Sequence, residues 1–168
     1  MPNWCSYTMK AVSKSQEALD RLINIMNYND DEYFIYRCAI ADMTDEYQDG
    51  DYFVMYIEGS VAWSCGSWFD CIERTNETDG ISPAHYITLD LLCQRLGIAV
   101  EVFGEESGME FQEHYLCNPK GDIVWNECTG WHQKWFDDDG NDLPEPIESG
   151  GFDYYCDFDT ASAIYNAV

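Results

Sequence analysis

The chain carries more negative charge than solubility requires, yet it keeps enough apolar surface to fold. It has 32 Asp and Glu against 8 Lys and Arg, a formal net charge of −24 on 168 residues. Such charge opposes compaction by self-repulsion, but 46% of the residues are hydrophobic and 15% are aromatic, so we expect a folded domain rather than a disordered acidic chain. A small domain needs a net charge of only about 2–8 to stay soluble. The excess predicts a cationic partner.

The same charge argues against several classes of partner. A sequence pI near 4.1 disfavours direct nucleic-acid binding, which needs Lys and Arg against phosphates, and disfavours anionic membranes. No apolar run approaches the roughly 20 residues of a membrane span. Residues Met1–Cys5 show neither the basic nor the apolar region of an export signal. We therefore expect a cytoplasmic protein of the host cell.

The cysteine pattern favours free thiols over a disulfide framework. Without an export signal, and with a chain long enough for its own core, thiols are expected to act as small buried hydrophobes in a reducing compartment. No Cys-x-x-Cys occurs, and the nearest zinc-like spacings are weak. They are Cys65-x5-Cys71 and Cys117…Cys128-x3-His132. We expect no metal and no cofactor.

The sequence pattern of the first half of the chain predicts a strand, a helix and further strands. Alternation predicts a strand over 5–12, and apolar residues at helical spacing predict a helix from Gln16 to Met26. Residues 42–51 are predicted to be an acidic loop. Two strands are then predicted, Tyr52 to Glu58 and Val61 to Ser64, split by a turn at Gly59-Ser60.

The second half adds a helix and further strands. Ser82-Pro83 is expected to start a helix that runs to about Leu96 and ends at Gly97. The later predicted elements are a strand over Ile98–Phe103, a hairpin of Phe111–Asn118 and Asp122–Cys128, a strand over Phe152–Phe158 and a short helix over Thr160–Ala167. This order predicts one α+β domain over 1–168, with two helices on one face of an antiparallel sheet.

Three short motifs resemble the YubB-like ferredoxin-fold family of plasmid and phage proteins. They are the opening Met1–Cys5, the segment Val61–Ser64 and the segment Glu105–Phe111, and the resemblance extends from residue 1 to about 128. It implies a ferredoxin-like core, here 1–131, and an origin on a mobile genetic element; it implies no reaction. Residues 132–168 would form an acidic extension packed on that core.

The acidic residues fall in two blocks that contain no base. Eight acids lie between Arg37 and Arg74, and nine follow Lys134. Carboxylates held a few ångströms apart can imitate the phosphates of DNA, which carry one charge per about 1.7 Å of duplex, and the aromatic residues beside them could anchor a partner. The predicted partner-binding residues are Asp42, Asp45, Glu46, Asp49, Asp51, Asp137, Asp138, Asp139, Asp142, Glu145, Glu148, Asp153, Asp157 and Asp159.

The sequence thus predicts a non-enzymatic DNA mimic. It would occupy the cationic nucleic-acid groove of a host defence protein, such as a CRISPR effector subunit or a restriction enzyme, without binding nucleic acid or membrane itself. Two alternatives stay open: a module that binds a small ligand or carbohydrate in an aromatic cleft, and a metal-dependent enzyme. The acids could also be plain solvated loops or a halophilic surface.

Two local patterns bear on the alternatives. Residues 137–148 resemble an EF-hand loop but have Asp142 where the turn glycine belongs, and Pro144 follows, so an ordinary turn is the favoured interpretation. None of His85, His114 and His132 lies in a nucleophile motif. His114 is interpreted as a histidine on the surface of a sheet.

Overall fold

The computed structural model describes residues 3–35, 37–75, 85–152 and 158–168. In this part of the chain β-strands predominate. The elements, in chain order, are β1 (Trp4–Ser13), α1 (Gln16–Met26), β2 (Tyr33–Ile35), β3 (Cys38–Asp49), β4 (Tyr52–Ala62), a 3-10 helix (Cys65–Phe69), β5 (Glu73–Thr75), β6 (His85–Ile87), α2 (Leu89–Leu96), β7 (Ile98–Glu106), β8 (Phe111–Cys117), β9 (Ile123–Phe136), β10 (Asp142–Gly150) and α3 (Ala161–Tyr165).

The strands form one large and one small sheet. The large sheet has seven strands in the order β10-β9-β8-β7-β1-β4-β3, and all neighbouring pairs are antiparallel. The small sheet has the order β2-β6-β5. The predicted ferredoxin-like α+β fold is therefore wrong: the protein is mostly β, with three short helices in its described residues.

The prediction failed because segments that read as loops pair as strands. Residues 42–49 belong to β3, which pairs with β4 from Cys38 to Asp49. Gly59-Ser60 is no turn but lies inside β4, where a side chain at Gly59 would meet the carbonyl oxygen of Ile40 at 2.0 Å. A glycine inside a strand marks such a close backbone approach, and the register of the β3–β4 pair shifts beside it. Two long strands replace the loop and the turn.

Other elements match their predicted positions. The helix over Gln16–Met26 is confirmed, and the Ser15 hydroxyl accepts a hydrogen bond from the Ala18 amide at its start. The β8–β9 hairpin is confirmed as well. Gly97 ends α2 with φ of 64°, but α2 begins only at Leu89, because His85–Ile87 pairs as β6. Ser82-Pro83 and most of the predicted strand at 152–158 lie outside the described residues.

The two faces of the large sheet are covered differently. On one face the inward side chains of β1 pack against α1, α2 and the 3-10 helix, whose Trp68 is fully buried. On the other face α3 places Ala161 and Ile164 against Val12, Val54 and Ala99. Buried apolar area of this kind is the main stabilising contribution. The second face, which we call the α3 face, carries the polar groups described next.

Candidate functional site

Six of the eight acids of the first block lie on one hairpin, β3–β4. Asp42, Asp45, Glu46 and Asp49 belong to β3, and Asp51 lies in the connecting turn. Glu58, on β4, is the register partner of Asp42. All six side chains are exposed, and in the described part of the chain none of them forms an ion pair. We call these six residues the acidic hairpin.

The acids of the acidic hairpin are spread along an extended strand. A β-strand rises about 3.3 Å per residue, so Asp42 to Asp49 spans roughly 23 Å. The four carboxylates of β3 over that length give one charge per about 6 Å, against about 3.4 Å for one strand of DNA, and Asp51 and Glu58 add two charges beside them. Tyr47 stacks on Tyr56 beside them, with ring centroids 6.2 Å apart. The acidic hairpin thus carries exposed carboxylates beside an aromatic pair.

Six of the nine acids of the second block lie on the β9–β10 hairpin. Asp138, Asp139, Asp142, Glu145 and Glu148 are exposed, and next to them Trp135, Phe136 and Ile147 are each more than half exposed. The Lys134 ammonium group pairs with Asp138, and its hydrogen bond holds the pKa of that carboxyl below its usual value. One base is thus present on this hairpin.

Asp137 closes the turn of the same hairpin. Its carboxylate accepts hydrogen bonds from the backbone amides of Asp139 and Asn141 and from the Asn141 side chain, at 2.8–2.9 Å. These bonds, first those from Asn141, lower the pKa of Asp137. With Gly140 at φ of 83°, the segment is a hairpin turn between two strands, and the helices of an EF-hand are absent from its described flanks.

The acidic hairpin and the β9–β10 hairpin lie at opposite edges of the large sheet. β3 is one edge strand and β10 is the other, with five strands between them in the pairing order. The predicted residues on these two hairpins therefore form two separate groups, each on its own edge. Asp153 and Asp157 lie outside the described residues.

Asp159 has a different position from the other predicted acids. It lies over the α3 face, where its amide donates to Glu101 Oε2 at 3.0 Å and its carbonyl accepts from Lys10 Nζ at 2.7 Å. Both bonds use its backbone. Asp159 thus fastens the C-terminal segment across β1 and β7, whose residues Lys10 and Glu101 are register partners.

A buried polar group lies beneath this segment. Glu101 and His114 are only 2% and 7% exposed, and His114 Nε2 is 2.8 Å from Glu101 Oε1. The imidazole stacks on Phe103 with ring centroids 4.1 Å apart. The interpretation of His114 as a surface histidine is therefore wrong, because the C-terminal segment covers that face of the sheet. Glu101, a lone acid in the apolar run 98–103, was the available signal.

A cavity of about 440 Å³ opens beside Glu101 and His114. Leu116, Val124 and Trp125 form its apolar side, and the carboxyl-terminal residues Ala167 and Val168 lie at another side. Trp125 is 50% exposed. Cavities of 300–1,000 Å³ with apolar walls and a few convergent polar groups are typical ligand sites.

The two zinc-like spacings do not assemble in the described part of the chain. Cys71 donates its thiol hydrogen bond to Asp90 Oδ2 at 2.9 Å, and that bond raises the pKa of Cys71 to about 11. His132 Nδ1 lies 2.7 Å from Glu110 Oε2. Cys71 and His132 thus each have another partner, and the seven described cysteines are free thiols.

Comparison with known proteins gives no relative: no family model, no curated protein and no solved structure matches the chain. In the described residues no helix has both the length and the apolar character to span a membrane. The surfaces and cavities of the chain itself are therefore the basis for its proposed function.

Proposed function

We propose that this protein is a DNA mimic that binds the cationic nucleic-acid groove of a host defence protein through its acidic hairpin. It would act without catalysis, by competing with nucleic acid for the groove, and would be encoded by a phage or plasmid, as the YubB-like resemblance implies. The target class is a CRISPR effector subunit or a restriction enzyme in the host cytoplasm.

The acidic hairpin is the observation that carries this proposal. Its six carboxylates have no cationic partner among the described residues, so their charge is available to a partner. The ladder between β3 and β4 runs from Cys38 to Asp49 and fixes the spacing of these groups. A fixed group of carboxylates attracts a basic groove at long range and is sensitive to salt.

The β9–β10 hairpin has a different balance of charge and apolar surface. It combines acids with the exposed Trp135, Phe136 and Ile147, and Lys134 neutralises Asp138. Aromatic anchors in a partner interface contribute more binding energy than rim charges. We therefore assign the charge mimicry to β3–β4 and use β9–β10 as its matched comparison.

The test compares two variants with equal charge change. One is Asp45→Asn, Asp49→Asn and Asp51→Asn on β3–β4; the other is Asp139→Asn, Asp142→Asn and Glu145→Gln on β9–β10. Each is assayed for inhibition of DNA cleavage by a panel of purified CRISPR nucleases and restriction enzymes, from 50 to 500 mM salt. We expect the wild-type protein to inhibit at least one enzyme in competition with duplex or single-stranded DNA. The β3–β4 variant should weaken inhibition at least tenfold.

Three outcomes would overturn the proposal. The first is inhibition of none of these enzymes. The second is inhibition that is indifferent to salt and to competing DNA. The third is a β3–β4 variant that retains full potency per folded molecule. Removing charges from an edge strand also favours edge-to-edge aggregation, which lowers the apparent potency without any loss of binding. Light scattering on each sample separates that effect from loss of binding.

The cavity beside Glu101 and His114 favours a second candidate function, a small-ligand-binding module. Its volume of about 440 Å³ and its aromatic residue Trp125 suit a small, partly apolar molecule. A ligand that binds only the folded state raises the melting temperature. Screening a library of metabolites and sugars by thermal shift, with Trp125→Ala as the control, tests this function; shifts that persist in the variant would place the ligand elsewhere.

A further inference from the structure

A cluster of thiols and one carboxylate lies buried on the face of the sheet opposite α3. Cys5 on β1, Cys65 at the start of the 3-10 helix and Glu113 on β8 are 0%, 0% and 4% exposed. One potential ligand atom from each lies within 4.8 Å of the other two. Three distant parts of the chain therefore place donor atoms of metal-ligand type around one point.

The spacing of the two sulfur atoms fits a tetrahedral metal ion. Cys5 Sγ and Cys65 Sγ are 3.8 Å apart. Two thiolates bound to Zn²⁺ at about 2.3 Å with tetrahedral angles are separated by about 3.8 Å. A disulfide would need about 2.05 Å, so the two sulfur atoms are separated as ligands rather than as a covalent pair.

The carboxylate is oriented toward the thiols by the 3-10 helix. Glu113 Oε2 accepts from the Cys65 amide at 2.7 Å, and Oε1 accepts from the Ser64 hydroxyl at 2.5 Å. Each carboxylate oxygen has two lone pairs, so these bonds can act as the outer shell that orients a metal-binding carboxylate. Glu113 has no ion pair within the described residues, and a bound cation would balance its buried charge.

A candidate fourth ligand lies on β9, outside the three residues whose ligand atoms are within 4.8 Å of one another. Cys128 is the register partner of Glu113, and side chains of antiparallel partners lie on the same face with Cβ atoms about 4.5–5.5 Å apart. Its thiol is exposed, which gives an ion a route from solvent. Gly104 leaves room for the two thiols, because a Cβ at this position would lie 2.6 Å from Cys65 Sγ and 3.1 Å from Cys5 Sγ.

We propose that Cys5, Cys65 and Glu113, with Cys128 as the fourth ligand, bind a thiolate-preferring divalent cation of the Zn²⁺ type. Thiolate-rich tetrahedral sites select Zn²⁺ over the oxygen-preferring Mg²⁺ and Ca²⁺. With four protein ligands and three of them buried, the site is structural: it joins β1, β8, β9 and the 3-10 helix. This proposal is independent of the acidic hairpin, which lies on other residues.

The test uses Co²⁺ as a spectroscopic probe of the full-length chain. Protein stripped of metal under reducing conditions is titrated with Co²⁺, and the sulfur-to-cobalt charge-transfer band and the visible bands of tetrahedral Co²⁺ are recorded; Zn²⁺ is then added as competitor. We expect one equivalent to bind with tetrahedral bands that Zn²⁺ abolishes. Cys128→Ser, an exposed position, should lower the charge-transfer intensity by about one third while the fold is kept.

Further variants separate this site from the other thiols. Cys5→Ser and Glu113→Gln should weaken Co²⁺ binding at least tenfold, with circular dichroism confirming the fold. The matched control is Cys93→Ser, a buried thiol outside the cluster, which should bind like wild type. The proposal is overturned if the wild type shows no tetrahedral bands, if Cys93→Ser and Cys128→Ser lose intensity equally, or if intact mass under non-reducing conditions shows a Cys5–Cys65 disulfide.

Discussion

Asp42 on β3 and Glu58 on β4 are register partners, so two carboxylates face each other directly across an antiparallel pair. Like charges in this position destabilise a sheet by about 0.2–1 kcal/mol. The chain keeps this repulsion within a hairpin where no described cation forms an ion pair with either group. The facing carboxylates therefore lower the stability of the β3–β4 hairpin.

Neutralising one member of this pair should stabilise the protein. We expect Asp42→Asn to raise the free energy of unfolding by about 0.5 kcal/mol in 50 mM salt, and the gain should shrink in 1 M salt because exposed charges are screened. Urea denaturation at both salt concentrations measures it. Asp51→Asn, in the turn without an opposing carboxylate, is the control; an equal gain there would show that overall charge, not the facing pair, is responsible.

The buried Glu101 should matter far more than its exposed neighbours. It accepts from the Asp159 amide and lies 2.8 Å from His114 Nε2, and hydrogen bonds to a charged group contribute about 1.5–3 kcal/mol each. We expect Glu101→Gln to cost about 2–3 kcal/mol in urea denaturation, since one of its two acceptors is lost. Hydrogen exchange of the α3 amides should accelerate, because Asp159 fastens that segment.

Glu105→Gln provides the matched control for Glu101. Glu105 lies on the same strand four residues along β7 and on the same face, and it is only partly buried. We expect a change below about 0.5 kcal/mol there. If both substitutions destabilised the protein equally, the tether through Asp159 would not be the source of the effect.

How far the sequence predicts this fold depends on whether the decisive signal is local. The helix Gln16–Met26 has an apolar period and a Ser cap, and it appears where predicted. Residues 42–51 gave the wrong result because their acids suggest a loop, whereas pairing with β4 decides their structure. Pairing partners distant in sequence outweigh local propensity in strands.

The candidate sites show the same difference between local signals and contacts between distant residues. The acids of β3 are visible in the sequence, but their separation from those of β10 follows from the strand order, which local patterns do not contain. The cluster of Cys5, Cys65 and Glu113 is equally non-local, since its members lie 48 or more positions apart. Lys10 and Glu101, each the only charged residue of its predicted strand, could have been paired from the sequence.

The ion pair of Asp30 with Arg21 makes stability depend on pH. Burial raises the pKa of Asp30, but hydrogen bonds from Arg21 and from the Tyr33 and Glu32 amides outweigh it and lower the pKa below its ordinary value. A carboxyl with a lowered pKa in the folded state stabilises the protein above about pH 4, its value in the unfolded chain, and this contribution is lost as the pH falls further.

Asp30→Asn should therefore destabilise the protein more at neutral pH than in acid. We expect a loss of about 1 kcal/mol at pH 7, limited by the partial exposure of Arg21, and a loss that shrinks as the pH falls below about 4 toward pH 2.5. Urea denaturation across this range measures both. Asp20→Asn, an exposed carboxylate on α1, serves as the comparison; a loss for Asp30→Asn that is equally large at pH 2.5 would assign it to geometry instead of charge.

Gly59 tests the β3–β4 pairing on which the acidic hairpin depends. A Cβ at this position would lie 2.0 Å from the Ile40 carbonyl oxygen and 2.8 Å from the Tyr7 hydroxyl oxygen, and because the first is a backbone atom, it cannot turn aside. We expect Gly59→Ala to cost about 3 kcal/mol or more, at the upper end of overpacking. At Gly130 on β9 nothing lies within 4 Å of a Cβ, so Gly130→Ala should change stability by less than about 1 kcal/mol. Urea denaturation compares the two, and equal effects would contradict the observed register, because the pairing of β3 with β4 alone makes Gly59 the special position.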